Sequence, residues 1–136
     1  MKRASAAFTL LEMIVVLAIA ALIIGIGAAA VGSMDGEHEM RRTAREAEGV
    51  FLKAMASTLT TSMPQMVNLE DLQDGMKLTV RRAGTDVFVS ALEQRLYLRP
   101  GGLCEPLTLR WQKESAWITA TLDPLTGGFA EMEENL

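Results

Sequence analysis

From Phe8 to Val31 the chain is apolar at nearly every position, and Glu12 is the one charge in the run. At a helical rise of about 1.5 Å per residue the run spans about 36 Å, more than the roughly 30 Å of a bilayer's hydrocarbon core. Beyond Gly32 the pattern changes. Met40, Ala44, Ala47, Phe51 and Met55 recur at intervals of three or four residues. That spacing predicts an amphipathic helix with one apolar stripe facing a core, and Arg41, Arg42, Arg45, Glu46 and Glu48 lie mostly off the stripe. Gly32, Ser33 and Gly36 between the two halves lower helix propensity and predict a kink or local melting there. Pro64 sets the helix end near Ser62.

After Pro64 the period shortens to two. Met76, Leu78 and Val80 alternate with polar neighbours, and Val87–Val89, Leu96–Leu98, Leu107–Trp111 and Trp117–Leu122 read as further short strands. Asp74-Gly75, Ala83-Gly84-Thr85, Pro100-Gly101-Gly102 and Thr126-Gly127-Gly128 supply the turns beside them. Trp111 and Trp117 are spaced as facing residues of a hairpin whose turn is Gln112 to Ala116, so cross-strand or core packing is expected of them. The tail Glu131–Asn135 is acidic and reads as solvated. The predicted fold is α+β: a long N-terminal helix, apolar in its membrane half and amphipathic in its second half, packed on a small antiparallel sheet.

Composition narrows the function. The chain has 136 residues and a formal charge of −4, room for one small domain and a membrane segment. The basic residues after Met63 (Lys77, Arg81, Arg82, Arg95, Arg99, Arg110 and Lys113) are outnumbered by acidic ones. Phosphate binding needs a basic stripe, so nucleic acid is not the expected partner. Cys104 is the single cysteine; it cannot form an internal disulfide and reads as a small buried residue.

No catalytic constellation is present. Ser90 and Ser115 lack a base at recognisable spacing. His38 stands between Glu37 and Glu39 with no second His or Cys nearby to complete a metal site. Asp123, Glu131, Glu133 and Glu134 are oxygen donors, but their spacing matches no dedicated calcium loop, and a solvated acidic edge is the better reading. The expectation is a protein that is not an enzyme and has neither a cofactor nor a metal.

The N-terminus admits three readings. Lys2 and Arg3 could open a secretory signal peptide cut near Ala28-Ala29-Ala30, but its apolar core of about 7–15 residues is shorter than this run and carries no carboxylate. A plain signal anchor explains the length and leaves Glu12 unexplained. The third reading is a prepilin leader, a short basic peptide cut away while the apolar helix is kept. MKRASAAFTLLEMIVVLAIAALIIG resembles the N-terminus of type IV pilins and type II secretion pseudopilins, through Phe8, Thr9, Leu10, Leu11 and Glu12 and the apolar sequel. Ala7 stands where that family usually has glycine, and both are small.

The resemblance implies cleavage by a prepilin peptidase between Ala7 and Phe8, N-methylation of the new Phe8 amine, and assembly through Glu12. The Glu12 carboxylate would meet the amine of a neighbouring subunit; alone, it would snorkel to the headgroups. The implied organisation is a leader at 1–7, a membrane and assembly helix at 8–31, its amphipathic continuation at 32–62 and a periplasmic antiparallel β domain at 63–136. Such a subunit sits in the inner membrane by a single pass and enters a pseudopilus used for protein export. Its implied partners are other pseudopilins, the peptidase and the inner-membrane secretion platform. Within the family, Leu98–Gly102, Leu107–Leu109 and Asp123–Gly127 are most similar to the H-type minor pseudopilin. Two other expectations stay open: a minor type IV pilin serving pilus assembly or DNA uptake, whose domain should be basic, and a secreted or membrane-anchored β-domain binding protein.

Overall fold

The computed structural model describes residues 9–101 and 104–136. The chain divides into two units, Met1–Gly36 and Glu37–Leu136. One helix, α1 (Leu10–Thr61), contributes to both. It is continuous through 32–36, where the sequence predicts a kink or local melting, and the division between the units falls at Gly36. Ser62 takes φ +54° after its last residue, and Pro64, which has no N–H, follows.

In the second unit the stripe of α1 is buried as its spacing requires. Met40, Ala44, Ala47, Phe51 and Met55 are all at most 3% exposed. They share one core with the inward residues of a five-stranded antiparallel sheet. Its strands are β2 (Lys77–Arg82), β3 (Val89–Ser90), β5 (Leu107–Lys113), β6 (Ala116–Leu122) and β7 (Phe129–Asn135), ordered β3-β2-β5-β6-β7. Each buried Phe, Met, Leu or Ile side chain contributes about 1.5–3 kcal/mol, so this helix-on-sheet contact dominates the unit's stability. The fold is the expected α+β arrangement.

A separate two-stranded ribbon pairs β1 (Gln65–Asn68) with β4 (Arg95–Leu98), Gln65 opposite Leu98 and Asn68 opposite Arg95. A single 3-10 turn, Leu69–Leu72, follows β1 and buries Leu69 and Leu72. Neither β1 nor this turn has a periodic signal in the sequence.

The hairpin of β5 and β6 differs from expectation. Its turn is only Glu114-Ser115, with Glu114 at φ +56°, so Lys113 pairs with Ala116 and Trp111 lies opposite Ile118. Trp117 pairs with Gln112 instead. A two-residue turn in place of a longer one puts the tryptophans on opposite faces of the sheet, because side chains alternate along a strand. Trp111 is fully buried and donates its Nε1–H to the Leu72 carbonyl at 2.9 Å. Trp117 is partly exposed on the other face.

The acidic tail is a strand as well. β7 pairs along β6, and α1 holds it in three ways. Glu48 accepts the Phe129 N–H at 2.9 Å. The Phe129 ring sits edge-on to Phe51 at 6.2 Å. Arg41 grips Glu134 with two hydrogen bonds, of 2.8 and 3.0 Å. Those bonds hold the Glu134 carboxyl below the usual range and the guanidinium above its own. Both side chains remain well exposed, so the pair orients β7 more than it stabilises it. Lys113 reaches Glu39 at 2.7 Å in the same manner.

The loop between β6 and β7 comes closest to the helix at Gly127, which has φ +79°. A Cβ there would lie 3.0 Å from the Met55 Cβ and 3.2 Å from the Phe51 carbonyl oxygen. Gly127→Ala should therefore cost about 1–3 kcal/mol, from left-handed strain plus a clash with backbone that cannot move aside. Gly84→Ala, at φ +82° with open space around it, should cost only the strain, about 1 kcal/mol. Urea unfolding of the full chain in detergent checks the difference, and equal costs would mean the loop is not seated on the helix.

Candidate membrane and assembly segment

The first unit presents an apolar helical stretch that is not covered by other parts of the chain. Every residue from Leu10 to Ala28 is exposed, and this 19-residue stretch is apolar enough to cross a membrane. It is about 28 Å long. Leu10 is 81% exposed, Leu17 68% and Ile24 70%. Apolar surface in water is unfavourable by about 25 cal/mol per Å2, so a stripe of this extent belongs in lipid or against other apolar helices.

The start of this helix is built by the TLLE stretch. Thr9 precedes the first helical residue, and its Oγ1 accepts the Glu12 N–H at 3.3 Å. The Thr9 carbonyl accepts the first helical bond, from the Met13 N–H at 3.2 Å. Thr9 is thus the N-cap and Glu12 the third helical residue, the spacing of a capping box. Sequence reasoning singled out Glu12 and missed the cap role of Thr9, although Ser or Thr followed three residues later by Glu is its signature.

The position bears on the charge. The N-terminus of a helix carries partial positive charge from its unpaired N–H groups, which favours a carboxylate in the first turn by about 0.3–1 kcal/mol. Glu12 lies about 4–5 Å along the axis from the helix start. Its carboxylate is exposed, and among the described residues none pairs with it. Ala7 and Phe8, the expected cleavage residues, lie outside the described residues, as does Gly102 of one expected turn.

The candidate chemical groups of the second unit are each engaged or apart. Among the described residues, no three His, Cys, Asp or Glu side chains converge as a metal ion would require. Asp123 uses its carboxylate to close its own turn, accepting the Leu125 N–H at 2.9 Å and the Thr126 hydroxyl at 3.2 Å. Arg41 already holds the Glu134 carboxylate. Cys104 is half-buried, with Sγ 3.7 Å from the Pro124 carbonyl oxygen. Burial, and then the charge of Asp123, push its thiol up, away from the reactive thiolate.

These features define a class: a chain with one apolar N-terminal helix, capped at a carboxylate-bearing first turn, and a small α+β unit. The prokaryotic N-terminal methylation motif matches residues 2–31. That match supports a type IV pilin-like family, whose members are structural subunits and not enzymes. It implies processing by a prepilin peptidase and assembly with other pilin-like subunits, and with the apolar helix it suggests single-pass membrane anchoring. No curated protein and no solved structure gives a significant match.

Proposed function

We propose that the chain is a minor pseudopilin of a type II secretion system, most similar to the H-type subunit. It is made as an inner-membrane precursor with residues 1–7 as leader, 8–31 as membrane and assembly helix, 32–62 as its continuation and 63–136 as a periplasmic β domain. Prepilin peptidase cuts between Ala7 and Phe8, the Phe8 amine is methylated, and the subunit joins a periplasmic pseudopilus at the secretion platform. The reading rests on one observation above others. Within the segment matching the methylation motif, a capped TLLE turn starts an apolar helix that is exposed at every residue from Leu10 to Ala28.

The chemistry of assembly follows from the charges. After cleavage the Phe8 amine is a cation, and Glu12 is an anion four residues further along the sequence. In a lone subunit both face headgroups or water. Between packed subunits each can meet its opposite on a neighbour, and low dielectric strengthens the pair beyond the roughly 1 kcal/mol it has in water. The acidic balance of the β domain favours this reading over a DNA-uptake pilin.

Mass spectrometry of the mature protein is the test. The expected N-terminus is N-methyl-Phe8, and Ala7→Leu should block processing because the side chain beside the cut must be small. A mature start at Val31 or beyond would make the chain a secreted β domain. Full-length protein as the mature form would make it a plain anchored one.

A further inference from the structure

Strand alternation gives the five-stranded sheet a second face, turned away from α1, that carries an unusual stack. The Arg110 guanidinium lies 4.3 Å from the centre of the Phe88 ring and 5.1 Å from that of Trp117, and its Nε–H donates to the Thr119 hydroxyl at 3.1 Å. Arg81 covers Phe88 at 4.9 Å. Arginine, tryptophan and phenylalanine packed at a surface are the composition of protein interfaces, where Arg and Trp in particular carry binding energy. Among the described residues, neither arginine has a carboxylate within ion-pair distance.

The charges on this face are sorted by strand. One row across the sheet runs from Arg81 on β2 through Thr108 and Thr121 to Glu131 on β7. The next runs from Thr79 through Arg110 and Thr119 to Glu133. At about 4.8 Å per strand, Arg81 and Glu131 are roughly 14 Å apart, too far to pair within one copy. Among the described residues Glu131 and Glu133 are unpaired as well. The face is therefore positive along one side, negative along the other, and aromatic between.

We propose that this face is a self-association surface, pairing with a second copy of the chain about a two-fold axis that runs along the strands between β5 and β6. That rotation exchanges the columns of β2 and β7. Arg81 of each copy comes over Glu131 of the other, and Trp117 comes over β5. A foreign acidic segment would suit the arginines and be repelled by Glu131 and Glu133, and a basic one would do the reverse. Only a surface sorted in the same way meets both columns, and a second copy supplies it. The face offers roughly 500 Å2 per copy from strand spacing and rise, about 1,000 Å2 in all, the size of a weak interface. Anchoring both copies in one membrane raises their local concentration, and in that respect alone the inference rests on the proposed anchoring.

The experiment uses the full chain in density-matched detergent micelles, with dimerisation measured by sedimentation equilibrium. Wild type should dimerise, and raising salt from about 0.05 to 0.5 M should weaken the dimer about tenfold, since exposed charge pairs are screened. Arg81→Glu and Glu131→Arg should each lose association by about tenfold or more. An equal mixture of the two variants should regain it, because both reciprocal contacts are then attractive again. Circular dichroism of each variant establishes that it is folded. A monomeric wild type, a dimer indifferent to salt and to both reversals, or a folded mixture that fails to associate would overturn the proposal. A dimer made by the apolar helices alone would give the second of these results. Processing at Phe8 is read separately from the mature N-terminus, so failure here leaves the reading as a secretion subunit standing.

Discussion

Trp111→Ala should come close to unfolding the second unit, while Trp117→Ala should leave it folded. Trp111 is fully buried between the stripe of α1 and the sheet, within 6.2 Å of Phe129, which in turn meets Phe51. Truncating a buried aromatic costs about 3–5 kcal/mol through lost transfer energy and the cavity left behind. The Leu72 carbonyl also loses its donor, the Trp111 Nε1–H at 2.9 Å, and an unsatisfied buried acceptor adds about 1–3 kcal/mol. The sum approaches the whole stability of many small domains, about 5–15 kcal/mol. Trp117 is partly exposed and contributes contact area and one cation–π interaction. Its loss should cost about 1–2 kcal/mol. Urea unfolding of the full chain in detergent, followed by near-ultraviolet circular dichroism, separates the two. Equal costs would mean that the β5–β6 register is wrong by one residue.

That pair of tryptophans shows where the sequence stops being informative. The stripe of Met40, Ala44, Ala47, Phe51 and Met55 is legible because a helix repeats its contacts every three or four residues, and all five are buried. The strand pattern is legible for the same local reason. Register is not local: it turns on whether the β5–β6 connection takes two residues or more, and Glu114-Ser115 carries no glycine or asparagine to announce a tight turn. β7 is hidden differently. Glu131, Glu133 and Glu134 read as a solvated tail, yet an edge strand keeps its outer residues in water, and what holds this one is pairing with β6 and contacts to α1 from far off in sequence, Glu48 81 residues from Phe129 and Arg41 93 from Glu134. The Thr9 cap is a local signal too, a Thr followed three residues later by Glu at the head of an apolar run.

Glu12→Leu should separate insertion from assembly. The substitution removes the one charge from the apolar run, so membrane insertion should be unchanged or improved; a carboxylate near the middle of a span costs about 2.5–3.5 kcal/mol, and less near its end. The Thr9 cap should persist, because it is made by the backbone N–H of residue 12 and not by its side chain. Helix and leader therefore remain intact, and cleavage before Phe8 should proceed. What changes is the interface between subunits. If the carboxylate answers a neighbour's Phe8 amine there, the variant leaves that cation buried without a partner, at a cost of about 3–5 kcal/mol or a factor of about a hundred to a few thousand in association. The expected result is a protein that is processed and membrane-held yet no longer co-purifies with its pilin-like partners after mild detergent extraction. Glu12→Gln keeps the shape and the helix start while removing the charge, and should fail in the same way. Undiminished co-purification of both variants would mean that Glu12 only rests among the headgroups. A subunit at the filament tip has no neighbour above it, and where the amine that Glu12 would meet lies on that side the carboxylate is dispensable. The loss, measured against wild type on the same partners, thus reports whether this subunit's Glu12 has a neighbour's amine to meet.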